Sequence, residues 1–266
     1  MGKMAGSIWE QLNFSITQLA MNHHHELYGA LAGPPIGKES DACFIREVRK
    51  DPPIPLYYPA RGKKHTLVLG INPSLQPVWY WHLKARIGSF SDLLKMEAVQ
   101  REKMVKEAIS IQESLIHGDC QIQFFKVITA VLENAGLQPK DWDHYDLYPI
   151  RFTSQLSISS VINGTKMGAS YHEKCWGLLE EVMWSGYQTV ISLNKPVSDM
   201  LVRRYDLTPS KRLKGERLGG KYGLYKLDKG PQLVLYKQLT GGGTSNSEKG
   251  AFIRFLNHLS KKDRTK

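Results

Sequence analysis

The stretch His65-Thr66-Leu67-Val68-Leu69-Gly70-Ile71-Asn72-Pro73-Ser74 decides the fold. Its first half is short, β-branched and apolar, the composition of a strand buried on both faces of a parallel sheet, and it stops at Gly70. There the missing side chain permits close backbone approach, Asn72 offers an amide that both donates and accepts, and Pro73 fixes the turn. Asn-Pro is also a general turn initiator. A strand ending in such a turn can present one polar side chain rigidly, and that side chain is Asn72.

Upstream, Ser7 to Leu31 carries apolar residues at Ile8, Leu12, Ile16, Leu19 and Ala20, an amphipathic helical spacing that stops at Gly33-Pro34-Pro35. Within it, His23-His24-His25 are adjacent and point in different directions, so they cannot converge on one ion and read as solvated histidines. The proline-rich run Asp51 to Gly62 loses backbone donors and reads as an extended loop. Downstream, helices are expected over Phe90 to His117, Phe124 to Ala135 (closed by Gly136), Glu173 to Trp184, Pro196 to Tyr205 and Ser247 to Leu259. Strands are expected at Tyr145 to Ile150, Gln188 to Leu193 and Leu233 to Tyr236, with a glycine-rich loop from Leu239 to Asn246. Apolar strands alternating with helices predict an α/β fold, a three-layer αβα arrangement around a mostly parallel four-stranded sheet. Ligands bind such sheets outside the carboxyl ends of their strands.

With 266 residues, 41% hydrophobic and 23% charged, the chain is read as one globular domain. Residues 1–62 hold the N-terminal helix and proline-rich loop, 63–259 the αβα core, and 260–266 a basic tail. Its apolar runs fall far short of the about twenty residues of a membrane span, and the N-terminus lacks the apolar stretch of a secretory signal. A cytoplasmic or, in a eukaryote, nuclear location is expected. Cys43, Cys120 and Cys175 form no Cys-x-x-Cys pair and read as reduced thiols. A net charge of +11 suits a polyanion such as nucleic acid, and equally a surface kept basic for solubility.

The run Val68-Leu69-Gly70-Ile71-Asn72-Pro73-Ser74 resembles the first motif of the mismatch-specific and single-strand-selective branches of the uracil-DNA glycosylase superfamily. In element order the resemblance extends from about Lys63 to Leu259, taking in Glu173-Lys174-Cys175-Trp176-Gly177-Leu178-Leu179-Glu180 and Val190-Ile191-Ser192-Leu193-Asn194-Lys195-Pro196, where the family has a Leu-Gly-Lys-type turn. The resemblance implies that Asn72 positions the hydrolytic water and that Gly70, Ile71, Pro73 and Ser74 line the base site. It places Asp146 where the family reads the extruded base with an asparagine. An ionised aspartate accepts but cannot donate, and Asp146 can equally be a solvated or Arg-paired residue at a strand end. Among Trp79, Tyr80 and Trp81, Tyr80 is the first choice for the ring that stacks on the base, with at least one of the three in the core.

The family's second motif, a His-Pro-Ser-like segment, falls on Tyr236-Lys237-Gln238-Leu239-Thr240-Gly241-Gly242-Gly243-Thr244-Ser245-Asn246, which has no histidine. There Gln238 could bond the base carbonyl, Leu239 could act as a wedge, and Lys237, Thr240, Gly241, Gly242 and Ser245, together with Arg151, could meet the DNA backbone. The same segment can be a loop capping the helix at Ser247 with Glu248. The implied activity is hydrolysis of an N-glycosidic bond on a base taken out of the stack, by a monomer acting on DNA without metal or cofactor. Two alternatives stand beside it: a nucleic-acid-binding relative that has lost catalysis, and another kind of phosphate-binding α/β protein.

Overall fold

The computed structural model describes residues 8–30, 39–59, 65–71, 77–118, 123–151, 161–207, 211–212, 223–227, 230–236 and 246–263. In chain order these form α1 (Ile8–Gly29), α2 (Glu39–Lys50), β1 (Thr66–Gly70), α3 (Pro77–Ile87), α4 (Phe90–Lys95), α5 (Ala98–His117) and α6 (Gln123–Asn134). A short turn of 3-10 helix, Pro139–Asp141, leads into β2 (Trp142–Asp146), α7 (Lys166–Met183), β3 (Thr189–Ser192) and α8 (Lys195–Arg204). The order closes with β4 (Lys211–Arg212), β5 (Gly223–Lys226), β6 (Gln232–Leu235) and α9 (Asn246–Asp263). The chain divides into two compact units: Met1–Ala60, Asn72–Gln112 and Tyr148–Leu179 form the first, and Arg61–Ile71, Glu113–Leu147 and Glu180–Lys266 the second.

The second unit carries a six-stranded sheet in the order β2-β1-β3-β6-β5-β4. The first four are parallel, and β5 and β4 continue antiparallel to their neighbours. Thus the fold is α/β with a mostly parallel sheet, as the alternating pattern predicts, but with six strands where four are expected. The two additional strands are short and lie in the Lys-, Arg- and Gly-rich stretch 211–227, which has no apolar run to announce them. Chain leaving β1 goes to β2 on one side, and chain leaving β3 goes to β6 on the other, so the order reverses between the carboxyl ends of β1 and β3.

All five residues of β1 are buried, as its composition requires. β2 lies over Trp142–Asp146, earlier than the expected Tyr145 to Ile150, and its five residues are buried although three are polar. Asp143 satisfies its burial by accepting from the Tyr187 hydroxyl at 2.7 Å. Just beyond Asp146, the Leu147 N–H donates to the Gly70 carbonyl at 3.0 Å. Along one face of the sheet Val68, Trp142, Ile191, Val234 and Tyr236 pack with Phe125, Ile128 and Leu132 of α6 and with Phe252 and Leu256 of α9. Each such side chain contributes about 1.5–3 kcal/mol by leaving water. Helix α6 ends as expected at Gly136, whose φ of +82° is the left-handed cap.

The first unit is built around α1, whose buried face comprises Trp9, Leu12, Ile16, Leu19, Ala20, Leu27 and Tyr28. Asn13 clasps the proline-rich segment like a strand partner: its Nδ2 donates to the Tyr58 carbonyl at 2.7 Å and its Oδ1 accepts from the Tyr58 N–H at 2.9 Å. A side-chain amide serves well there, because a run of prolines has few donors of its own. The expected helix over Phe90 to His117 is two helices, broken at Met96 and Glu97; α4 opens with a capping box in which Ser89 accepts from Asp92 N–H and Asp92 from Ser89 N–H. His24 is fully buried, which corrects the reading of the triplet as solvated. Its Nε2–H donates to the Pro53 carbonyl at 2.7 Å, and its ring packs on Tyr28 and Phe90. No helix among the described residues is long and apolar enough to cross a membrane.

Candidate functional site at the carboxyl end of the sheet

Gly70 is the last residue of β1 and lies opposite Asp146, the last of β2. A Cβ built on Gly70 would collide with Asp146 Oδ1 and come within 3.1 Å of His144 Nε2. The carboxyl group occupies the place of the absent side chain, so any larger residue at 70 would have to displace it. Asp146 and His144, two residues apart in the same strand, point to the same side by its period of two. Both are buried, at 3% and 6% exposure.

His144 is unusual in its surroundings. Neither ring nitrogen has a hydrogen-bond partner among the described residues. Its Nε2 lies 3.7 Å from Asp146 Oδ1, within ion-pair range but long for a hydrogen bond. Loss of hydration on burial holds its pKa down to about 3, so the ring is neutral and the contact is not an ion pair. The rings of Phe125 and His144 meet edge to face, with centroids 4.8 Å apart at 86°. A buried polar group without its bond costs on the order of 1–3 kcal/mol.

At the neighbouring strand end, Asn194 accepts from the Val197 N–H and caps α8. The Ser198 hydroxyl, from the first turn of α8, donates to the Tyr236 carbonyl at 2.9 Å, and its oxygen lies 2.9 Å from Ser192 Oγ. The Ser192 hydroxyl in turn reaches the Asn194 carbonyl at 3.2 Å. These hydroxyls fix β3, α8 and the end of β6 to one another, and Tyr236 stacks on Phe252 of α9 at 4.2 Å. Sequence reasoning singled out neither serine.

Of the residues expected to line a base site, Gly70, Ile71 and Asp146 lie in the second unit at this edge, Ile71 being 1% exposed. Asn72, Pro73, Ser74, Lys237, Gln238, Leu239, Thr240, Gly241, Gly242 and Ser245 lie outside the described residues. In the first unit, the role expected of Tyr80 does not fit its position. Its ring is fully buried and its hydroxyl donates to the Asp51 carbonyl at 2.7 Å, beside Lys84, which pairs with Glu47 at 2.9 Å and with Asp51 at 2.7 Å. The exposed ring of the three is Trp81, at 47%, one residue and about 100° further round α3. Val78, at 74%, shares its face. Arg151 is likewise built in: it is 8% exposed, its guanidinium donates to Gln112 at 2.8 Å, and its carbonyl accepts from the Tyr28 hydroxyl. Held so, it braces the first unit rather than standing on a surface that meets DNA.

The first unit also holds a chain that sequence reasoning missed. Trp176 Nε1–H donates to His172 Nε2 at 2.9 Å, and His172 Nδ1 lies 2.7 Å from the Tyr148 hydroxyl. Because Nε2 must accept, a neutral His172 carries its proton on Nδ1 and donates it to Tyr148. A tryptophan four residues after a histidine on one helix was the available signal. Among the described residues no group of three or more His, Cys, Asp or Glu could hold a metal ion.

Comparison with models of known protein families gives no match to this chain, and comparison with curated proteins gives none.

Proposed function

We propose that the chain is a DNA glycosylase-like protein of the uracil-DNA glycosylase kind. It binds DNA as a monomer and hydrolyses the N-glycosidic bond of a deaminated or damaged base, with the sheet as the centre of a three-layer αβα domain. The observation that carries this reading is the junction of β1 and β2: a glycine at the carboxyl end of a central parallel strand, with the carboxyl of Asp146 packed against it, leading directly into Ile71-Asn72-Pro73-Ser74. It lies beside the point where the strand order reverses, the place where α/β sheets take their ligands. The basic net charge of +11 suits DNA as the partner.

In this reading Asn72 orients the attacking water, Asp146 meets the extruded base, and Gln238 bears charge developing on the departing base. Separately, Trp81 on α3 of the first unit offers an exposed ring on which a nucleic-acid base can stack. The runner-up is a DNA-binding relative with weakened or lost catalysis, favoured by an aspartate where an asparagine reads the base and by the absence of histidine between Tyr236 and Asn246. Oligonucleotides carrying uracil, hypoxanthine and other lesions separate the two. Alkali-labile sites that appear with the native chain and vanish with Asn72→Ala support the enzyme; salt-sensitive binding without cleavage supports the runner-up; no binding to any DNA sinks both.

A further inference from the structure

We propose that Asn163-Gly164 is a site of self-modification, where the chain turns a neutral amide into a carboxylate at the head of α7 with water as the only other reactant.

Residues 161–164 are helical, and that helix stops at Thr165, one residue before α7 begins. Both sides of the junction are pinned. Val161 and Ile162 are each 4% exposed. A Cβ on Gly168 would collide with the Val161 carbonyl and the Ile162 backbone, so the preceding turn lies directly on the start of α7. The Thr165 hydroxyl accepts from the Gly168 N–H at 2.8 Å, as an N-cap does, and donates to the Val161 carbonyl at 3.2 Å. Between these fixed points Asn163 and Gly164 are exposed. No heavy atom beyond its own stretch of helix lies within 4 Å of where a Gly164 Cβ would stand, so this glycine, unlike Gly168, has no packing reason.

Asn163 is the one asparagine of the sequence that precedes a glycine. With no side chain to obstruct it, the Gly164 nitrogen gives up its proton to hydroxide and attacks Asn163 Cγ. A C–N bond forms, the bond from Cγ to the side-chain nitrogen breaks, and that nitrogen takes a proton from water and leaves as ammonia. The product is a five-membered imide. Water then adds to one of its two carbonyls: opening on the side-chain side gives aspartate, and opening on the main-chain side gives isoaspartate. The helical shape of Asn163 holds Cγ away from the attacking nitrogen, so the ring closes only when the last turn opens, and helix ends fray.

The position gives the new charge a consequence. The first turn of α7 carries Lys166 and no acidic residue, so the positive end of the helix has no counter-charge there. Aspartate at 163 supplies one. Isoaspartate supplies it too, but adds a carbon to the main chain between Val161 and Thr165 and so draws the capping hydroxyl off the Gly168 N–H. The two products therefore act on the start of α7 with opposite sign.

The test stores the full chain at pH 7.5 and in mild alkali and follows it by intact mass and peptide mapping. A parallel sample receives hydroxylamine, which traps the imide and cuts the chain after residue 163. Exchange of –NH2 for –OH is expected at Asn163 ahead of every other asparagine, faster in alkali, and at least tenfold slower in Gly164→Ala, whose methyl has room in the folded chain. Hydrogen exchange at the Gly168 N–H should slow in Asn163→Asp and quicken in isolated isoaspartyl material. If Gly164→Ala does not fold by circular dichroism, the hydroxylamine cut in the native chain decides. An unmodified Asn163 after other asparagines have reacted, no hydroxylamine cut, an equal rate in a folded Gly164→Ala, or Gly168 exchange indifferent to both products overturns the proposal.

Discussion

His24 and His144 are both fully enclosed, and burial holds the pKa of each down to about 3, yet they are embedded differently. His24, in the first unit, gives its single N–H to the Pro53 carbonyl and wedges between Tyr28 and Phe90. His144, in the second, has aromatic contact with Phe125 but no hydrogen-bond partner among the described residues. An imidazole whose proton is bonded to a neighbouring backbone is a packing element that tethers two segments. One held beside a carboxylate at the end of a strand, with its bond unmade, contributes little to the fold in return for its burial. Bonding state, rather than burial, separates the two histidines.

The largest effect expected is common to both. Each has a folded pKa of about 3 against 6.5 when unfolded, so below pH 6.5 the unfolded chain takes up protons that the folded chain refuses. Their contribution is complete above pH 6.5 and is lost as pH falls toward 3. Each loses about 2 kcal/mol by pH 5. Denaturant unfolding at pH 7.5 and pH 5 measures this, and replacing either histidine by a residue that does not titrate should remove about half of the difference. A pH-independent midpoint would show that both rings open to water, and half the expected change that one of them does.

Next, His24→Ala should destabilise the chain by about 3 kcal/mol, from a cavity and the lost tether on Pro53. His144→Phe, which removes a polar group lacking its bond, should stay within about 1 kcal/mol of wild type. Chemical denaturation of both at pH 7.5 makes the comparison, and equal losses would break it. Smaller again, Gly70→Ala should cost about 2 kcal/mol by displacing the Asp146 carboxyl. It should also change the chemical shift of His144, a response that a merely looser strand end would not give. Smallest for stability is Trp81→Ala, within about 0.5 kcal/mol because the ring is half exposed. Its affinity for single-stranded DNA should nevertheless fall by roughly 1–3 kcal/mol, whereas Tyr80→Phe should leave that affinity unchanged.

The three strands with apolar runs, β1, β3 and β6, are legible from sequence because each has a continuous buried apolar centre and carries its polar residues only at its ends. β2 is not: Trp-Asp-His-Tyr-Asp has neither an apolar run nor a clean alternation, since Asp143 is satisfied by a tyrosine 44 positions away. Its true start places His144 and Asp146 on one face, and that register makes them a pair. Gly70 and Asp146 could be picked out as members of a strand-end site. His144 could not, because a lone histidine in a chain with nine carries no signal without its neighbours. Tyr80 and Trp81 illustrate the same limit in a helix, where one step of about 100° separates core from surface and three consecutive aromatics leave the phase open.

The Asn13 clasp on Tyr58 has a bearing on chemical ageing. Hydrolysis of that amide to a carboxylate would keep the acceptor for the Tyr58 N–H and turn the donor to the Tyr58 carbonyl into a second, repelling oxygen. One atom exchanged at a buried side chain would release the proline-rich segment from α1 on that side. Burial slows the exchange by keeping water out, so the clasp protects itself only for as long as the first unit stays closed.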